Sequence, residues 1–184
     1  LLSILLTIIS FLIIIFGGPN NIVFASFLML SVALSDCIDG NIARARGETG
    51  PNGEWMDALS GYIVYALLPI ALGLHLNIYS AQLIFPGLWI LVGATTSVAN
   101  LFPRLLHQKY MNGMIGDVTQ KGLKKSGSLF SRISSELGLV GWMMPALFVA
   151  SLTGFLEVYL VVYCFFYLIS AVIITLILIW KVNT

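Results

Sequence analysis

Charged side chains are scarce in this chain, and their scarcity restricts the class of protein. The 184 residues include nine Lys or Arg and eight Asp or Glu, which is 9% of the chain, whereas 59% of the residues are hydrophobic. Soluble domains carry roughly 25% charged residues. A soluble globular fold is therefore excluded, and the composition predicts an all-α integral membrane protein with a single domain over residues 1–184.

Cysteine is nearly absent as well, with Cys37 and Cys164 alone in the chain. Two cysteines in apolar surroundings do not make a disulfide framework. The formal net charge of +1 says little by itself, and no nucleic-acid partner is expected. The chain starts inside an apolar run and without Met, and we expect the natural chain to extend further toward the N-terminus.

Apolar runs that suit membrane-spanning helices, which need about 20 residues, occur six times. A Gly-Gly-Pro-Asn-Asn turn separates the first two, and Pro103 is expected to end the fourth. The candidate spans are residues 1–16, 22–38, 55–76, 81–102, 138–155 and 158–180.

The basic residues predict the orientation of these six spans. All nine fall on one face of the membrane, which the positive-inside rule makes cytoplasmic, together with both termini. Residues 103–135 mix basic and apolar side chains, so we expect an interfacial segment whose basic groups face lipid phosphates, with a solvated basic loop as the alternative. The nine are Arg44, Arg46, Arg104, Lys109, Lys121, Lys124, Lys125, Arg132 and Lys181.

Five of the eight acidic residues lie between positions 36 and 57, beside the apolar runs. Carboxylates at the edge of a bilayer are costly and usually functional. Asp36 and Asp39 share a helix face, and Asp57 reaches them if its span is a neighbour. Three convergent carboxylates repel one another unless a cation lies between them. Hard oxygen ligands favour Mg²⁺ or Mn²⁺, so these three residues are the predicted metal ligands.

Small residues and an arginine accompany these carboxylates. Gly40 and Ala43 leave room for a ligand to approach the helix, and Arg44 suits a phosphate or a neighbouring carboxylate. The pattern therefore predicts a combined metal and phosphate site. The alternative is a set of unrelated local roles, in which Asp36 caps a span, Arg44 fixes the topology and Asp57 favours the positive end of the next helix.

The intervals Asp36-x2-Asp39-Gly40-x2-Ala43-Arg44-x8-Gly53-x3-Asp57 resemble the signature of the CDP-alcohol phosphotransferases, which are six-span membrane enzymes of phospholipid synthesis. The resemblance implies that the metal binds the pyrophosphate of a CDP-linked donor, either CDP-diacylglycerol or a CDP-alcohol. It further implies transfer of the phosphoryl-linked alcohol to a hydroxyl acceptor, release of CMP, and a homodimer. By the same resemblance Gly40, Ala43 and Gly53 line the nucleotide pocket, and Arg44 contacts phosphate or braces the carboxylates.

The resemblance fails at one position. The family signature ends with a fourth Asp, four residues after the third, where this chain has Gly61. That carboxylate is expected to be the general base on the acceptor hydroxyl, so the catalytic positions to consider are Asp57, Glu54 and Gly61. Glu54 or Glu48 can replace the base. We expect a natural variant that retains transfer activity, with a nucleotide-binding pseudoenzyme as the main alternative.

An acceptor with its own phosphate needs a basic pocket on the same face. Lys125 and Arg132 are the candidates that we favour, because they approach span five. His75 is expected at the far end of span three, as a polar residue at the interface. A cation transporter and a metal-dependent prenyl transferase are further alternatives, but neither accounts for the small residues and the arginine at these intervals.

Overall fold

The computed structural model describes residues 2–46, 51–80, 85–117 and 142–183, and all regular structure within these ranges is helical. This confirms the all-α class. A 3₁₀ turn, Pro19–Asn21, joins the first two helices. The α-helices of the described ranges are α1 (Leu2–Phe16), α2 (Ile22–Arg46), α3 (Pro51–Tyr79), α4 (Leu88–Asp117), α5 (Met144–Thr153) and α6 (Leu156–Asn183).

The helices pack into a closed ring. α1 packs against α2 and α3, α2 against α5, and α5 against α6, while α4 packs against both α3 and α6. A direct contact between α3 and α6 crosses the ring. Large apolar side chains fill the centre, among them Ile14, Leu68, Leu72, Met144, Leu147 and Leu160.

The exposure pattern is that of a protein surrounded by lipid. Phe165 is 63% exposed and Leu176 61% exposed, whereas the polar side chains of Ser26 and Asn100 are 0% and 1% exposed. Water would favour the opposite arrangement, since apolar side chains are normally buried in soluble proteins. In hydrocarbon, polar side chains turn inward to find hydrogen-bond partners.

Three helical stretches of the described residues are long and apolar enough to cross a membrane: Pro19–Ile38, Ala58–Tyr79 and Leu156–Trp180. Shorter apolar helices are Ser3–Phe16 and Met144–Thr153. The chain is thus an apolar helical protein as predicted, while the count of six spans stays a prediction.

Two expected boundaries differ from the structure. The fourth helix does not end at Pro103 but continues to Asp117, because the proline removes one backbone donor from a helix whose neighbours hold it in place. The second helix continues to Arg46, so the signature residues 36–44 are helical throughout. Of the predicted interfacial segment, α4 contains residues 103–117, and residues 118–141 lie outside the described ranges.

Helices α3 and α4 approach each other until their backbones touch. A Cβ atom added to Gly73 would lie 2.5 Å from the Trp89 carbonyl oxygen and 3.2 Å from the Gly93 Cα. A Cβ atom added to Gly93 would clash with the Pro69 carbonyl oxygen. Glycine at both positions therefore permits the close crossing, as small residues do in membrane helix pairs.

His75 differs from the expected interfacial position. Its side chain is buried at 3% exposure between α1 and α3. The Nδ1–H group donates to the Ile14 carbonyl oxygen at 2.8 Å, and the ring lies 4.8 Å from that of Tyr79. The histidine therefore joins two helices, which explains why a polar ring is tolerated inside the bundle.

Candidate active site

The signature positions of α2 lie in one stripe along the helix. Positions 36, 39, 40, 43 and 44 follow the intervals i, i+3, i+4, i+7 and i+8, which mark a single face of an α-helix. The opposite face is exposed. It consists of Ile38, Asn41, Ile42 and Ala45. The signature stripe is therefore on the side of α2 away from the exposed face, as residues of one shared site require.

Asp36 is the predicted metal ligand whose side chain the structure describes. It is half-buried near the end of the apolar stretch Pro19–Ile38 and interacts with a neighbouring group. For the other candidates on helices the structure describes the helix position and not the side chain. These are Asp39, Gly40, Ala43 and Arg44 on α2, and Glu54 and Asp57 on α3. The convergence of the three aspartates is therefore still a prediction.

The remaining candidates lie outside the described ranges. Glu48 belongs to the link between α2 and α3, and Lys125 and Arg132 belong to residues 118–141. Their proposed roles as base and as phosphate ligands stay predictions.

The donor chemistry of the predicted metal site fits a hard divalent ion. Carboxylate oxygens are the ligands that Mg²⁺ and Mn²⁺ prefer. Asp36 provides one such carboxylate close to the end of the apolar stretch of α2. Within the part of the chain that the structure describes, no three His, Cys, Asp or Glu side chains come together.

Two glycines on α3 have room for a side chain. A Cβ atom on Gly53 would meet no atom within 4 Å, and one on Gly61 would lie 3.8 Å from Cε2 of Tyr65, an ordinary contact. Packing among the described residues therefore does not require glycine at either position. At Gly53 the open space is where a ligand can approach the helix.

The ring of Tyr65, one turn after Gly61, lies against the charged side chain of Arg104. The Arg104 guanidinium carbon lies 4.0 Å from the ring centroid, which is within the range of a cation–π contact. Arg104 Nε donates to Asn100 Oδ1 at 3.0 Å. An arginine of α4 thus lies beside the α3 position where the family signature would place its fourth carboxylate.

The packing of α3 against α4 explains this placement. The glycine crossing fixes the two helices in an antiparallel arrangement, and Ser97 Oγ donates to the Ala66 carbonyl oxygen at 2.9 Å nearer the signature end of α3. In this arrangement, each residue toward the N-terminus of α3 is level with one residue further toward the C-terminus of α4. Arg104 is seven residues beyond Ser97, so its backbone is level with Leu59 of α3, within one turn of Gly61.

Sequence reasoning assigned Arg104 to membrane topology alone and overlooked Asn100 and Tyr65. A signal was present, since Asn100 and Arg104 are four residues apart in an otherwise apolar helix, and such residues face each other. The partner on α3 could not be found in this way, because the helix register depends on tertiary packing.

Comparison with family models places the chain in a known group of membrane transferases. The model of the CDP-alcohol phosphatidyltransferases matches residues 1–121, which is more than half of the chain and includes the whole signature region. The chain belongs to the CDP-alcohol phosphatidyltransferase family. Comparisons with curated proteins and with solved structures give no match.

Family membership suggests an integral membrane transferase of phospholipid synthesis that acts on a CDP-linked donor and an alcohol acceptor. The family is generally dependent on a divalent metal. The matched region ends before Lys125 and Arg132, so the family match does not bear on these two residues.

Proposed function

We propose that this protein transfers a phosphoryl-linked alcohol from a CDP-activated donor to a hydroxyl acceptor, with release of CMP. The observation that carries the proposal is the uninterrupted α2 helix, which holds five signature positions on one face opposite its exposed side. The family match over residues 1–121 supports the same activity.

In this proposal Asp36, Asp39 and Asp57 hold Mg²⁺ or Mn²⁺. When bound, the metal neutralises the pyrophosphate and stabilises the leaving CMP. Gly40 and Ala43 leave space for the nucleotide. Arg44 contacts a phosphate oxygen or orients a carboxylate. By the positive-inside rule we assign the site to the cytoplasmic face, and the homodimer that the family resemblance implies stays part of the proposal.

The transfer is a substitution at the phosphorus atom that bears the alcohol. A bond forms between this phosphorus and the acceptor oxygen, while its bond to the CMP oxygen breaks and the electron pair leaves with CMP. The acceptor hydroxyl proton passes to a base. We propose Glu54 for this step, because Gly61 has no side chain to accept a proton. Glu54 lies three residues before Asp57 on α3, and therefore on the same side of that helix.

A weak or displaced base is compatible with turnover in this chemistry. Phosphoryl transfer depends chiefly on positioning and on stabilisation of charge. A substitution that expels CMP from a neutralised pyrophosphate therefore makes a smaller demand on the base than most group transfers.

Gly61 also favours a second candidate function, a pseudoenzyme that binds the CDP-linked donor without turnover. The two candidates share the nucleotide site and differ in the release of CMP. Binding of the donor and the production of CMP must therefore be measured separately.

The experiment is a CMP-release assay with the full chain in lipid nanodiscs, with Mn²⁺ or Mg²⁺, a panel of CDP-linked donors and mixed alcohol acceptors. Asp39→Asn removes one predicted metal ligand with little change in size. Glu157→Gln is the matched control, because this residue lies in the first turn of α6, accepts a hydrogen bond from Ser80 and is remote from the signature.

Metal-dependent CMP that disappears in Asp39→Asn and persists in Glu157→Gln would support the enzyme, and the active donor would identify its substrate. Donor binding without CMP from any donor would favour the pseudoenzyme. Absence of both donor binding and CMP would contradict the two candidates together.

A further inference from the structure

The number of divalent ions at the predicted metal site depends on the negative charge that surrounds it. Phosphoryl-transfer centres hold either one ion or a pair about 3.5–4 Å apart. Two divalent ions carry four positive charges, so a pair needs several carboxylates around it. The predicted ligands here are Asp36, Asp39 and Asp57. They neutralise one ion fully and a second ion only in part.

Position 61 is the place on α3 from which a fourth carboxylate would extend toward this site. Gly61 lies one turn after Asp57 on the same side of the helix. A Cβ atom there would lie 3.8 Å from Cε2 of Tyr65, an ordinary contact, so the packing of the described residues leaves room for a side chain. The chain nevertheless has glycine, and no acidic residue follows Asp57 before Asp117.

A positive charge of the protein lies close to position 61. The guanidinium carbon of Arg104 is 4.0 Å from the centroid of the Tyr65 ring, the same ring that a Cβ atom on Gly61 would contact. The two contacts and the radius of the ring together place the guanidinium at most about 9 Å from this Cβ position. The backbone of Arg104 is level with Leu59, between Asp57 and Gly61. The charge is therefore at the signature end of α3.

Side-chain contacts fix this charge in place. Arg104 Nε donates to Asn100 Oδ1 at 3.0 Å, and the Asn100 side chain is paired with the Tyr167 hydroxyl of α6. Asn100 is 1% exposed, and Tyr65 and Tyr167 are also buried. Residues of three helices thus hold the guanidinium, and water screens it less than it screens the charge of a surface arginine.

We propose that the metal site of this protein binds a single divalent ion, and that the Arg104 guanidinium supplies the positive charge that a second ion would bring. The inference deepens the proposed transfer function and rests on its metal site. A second ion near position 61 would find no carboxylate of that residue to bind. The guanidinium would also repel it. At about 9 Å and an effective dielectric constant of roughly 20, this repulsion weakens the binding of a divalent ion by more than about a hundredfold.

Glycine at position 61 and arginine at position 104 act together in this proposal. An aspartate at position 61 would be attracted to the guanidinium beside the same ring, as carboxylates are to arginine. It would then be a poor ligand for a second ion. Adding the carboxylate alone should therefore not create a second metal site, whereas adding it and removing the arginine charge should.

The experiment counts bound metal without turnover. The full chain in phosphatidylcholine nanodiscs is titrated with Mn²⁺, and the free ion is measured by electron paramagnetic resonance, with empty nanodiscs as the blank. One saturable Mn²⁺ per chain is expected, and Asp39→Asn should remove it. The bound ion should give the spectrum of an isolated Mn²⁺, because two ions about 4 Å apart would be magnetically coupled.

Variants at position 61 test the part played by Arg104. Gly61→Asp alone should still bind one ion tightly. Gly61→Asp with Arg104→Gln should bind a second ion roughly a hundredfold more tightly than Gly61→Asp alone, with a coupled spectrum. Arg104→Lys keeps the charge, so its combination with Gly61→Asp should again bind one ion. Gly61→Asp with Lys109→Gln removes a charge from an exposed position of α4 and should match Gly61→Asp alone.

Equal affinity for a second ion in Gly61→Asp with and without Arg104→Gln would refute the role of Arg104. Helical circular dichroism checks the fold of each variant. If Arg104→Gln does not fold, the ion count of the native chain and of Gly61→Asp still tests the proposal, since a tightly bound second ion in either chain would overturn it.

The outcomes separate this inference from the transferase itself. Two coupled ions in the native chain, which Glu54 as a fourth ligand would produce, would overturn the inference and leave the transferase standing. One bound Mn²⁺ in a chain that releases no CMP from any donor would support the single-ion site and refute the transferase. No saturable Mn²⁺ in the native chain would refute the metal site on which both proposals rest.

Discussion

The glycine contact between α3 and α4 gives a quantitative prediction about stability. Gly93→Ala places a methyl group against the Pro69 carbonyl oxygen and 3.2 Å from the Gly73 Cα. Both neighbours are backbone atoms, so no side chain can rotate away. The two helices must move apart, which is expected to weaken the hydrogen bond from Ser97 to Ala66.

The expected cost follows from three contributions. Overpacking of a filled interface costs about 1–3 kcal/mol, and loss of an interhelical hydrogen bond in a membrane protein costs about 0.6 kcal/mol. The better helix propensity of alanine offsets roughly 1 kcal/mol. The free energy of unfolding should therefore fall by about 0.6–2.6 kcal/mol.

The assay is reversible unfolding in mixed micelles, followed by helical circular dichroism. Gly61→Ala is the matched control on α3, because its added Cβ would lie 3.8 Å from the nearest neighbouring atom, and it should be neutral or slightly stabilising. The double variant Gly73→Ala with Gly93→Ala should cost less than the sum of the single variants, since both changes separate the same two helices. Equal stability of Gly93→Ala and Gly61→Ala would refute the close crossing.

The other predictions concern the site and the α2–α5 contact. Gly61→Asp should raise CMP release if the base is simply missing, whereas Gly61→Asn should not, and no gain over Asn would contradict that explanation. Removal of divalent metal by EDTA should abolish CMP release, and Mn²⁺ should restore it; activity that survives EDTA would refute a metal-dependent site. Ser26→Ala should lower the free energy of unfolding by about 0.6–1.7 kcal/mol, because its hydroxyl lies 2.6 Å from that of Ser151 inside the bundle. A double-mutant cycle with Ser151→Ala that shows no coupling would contradict that contact.

Local structure was predictable from the sequence because a helix has a fixed period. The spacing of Asp36 and Asp39 predicts a shared face, and the structure confirms an uninterrupted helix through both. The family was predictable for a similar reason, since its signature is a set of intervals along two helices. The match over residues 1–121 confirms this prediction.

Helix ends were harder to predict, because packing against neighbouring helices can override the helix propensity of single residues. Pro103 reads as a helix terminator, yet α4 continues beyond it, since a buried proline between packed helices loses only one backbone hydrogen bond. His75 reads as an interfacial residue but is buried against Ile14. In both cases the neighbouring helix provides the stabilisation, and the sequence does not show which helix that is.

The sequence by itself determined the class of this protein, the helical character of its segments and the family signature, because these depend on composition and on intervals along the chain. The tertiary structure decided the order of the helix ring, the glycine crossing of α3 with α4, and the inward turn of Arg104 onto Tyr65. The physical reason is the solvent. In a membrane, apolar side chains suit both the lipid face and the interior, so hydrophobicity does not reveal which face of a helix meets which neighbour.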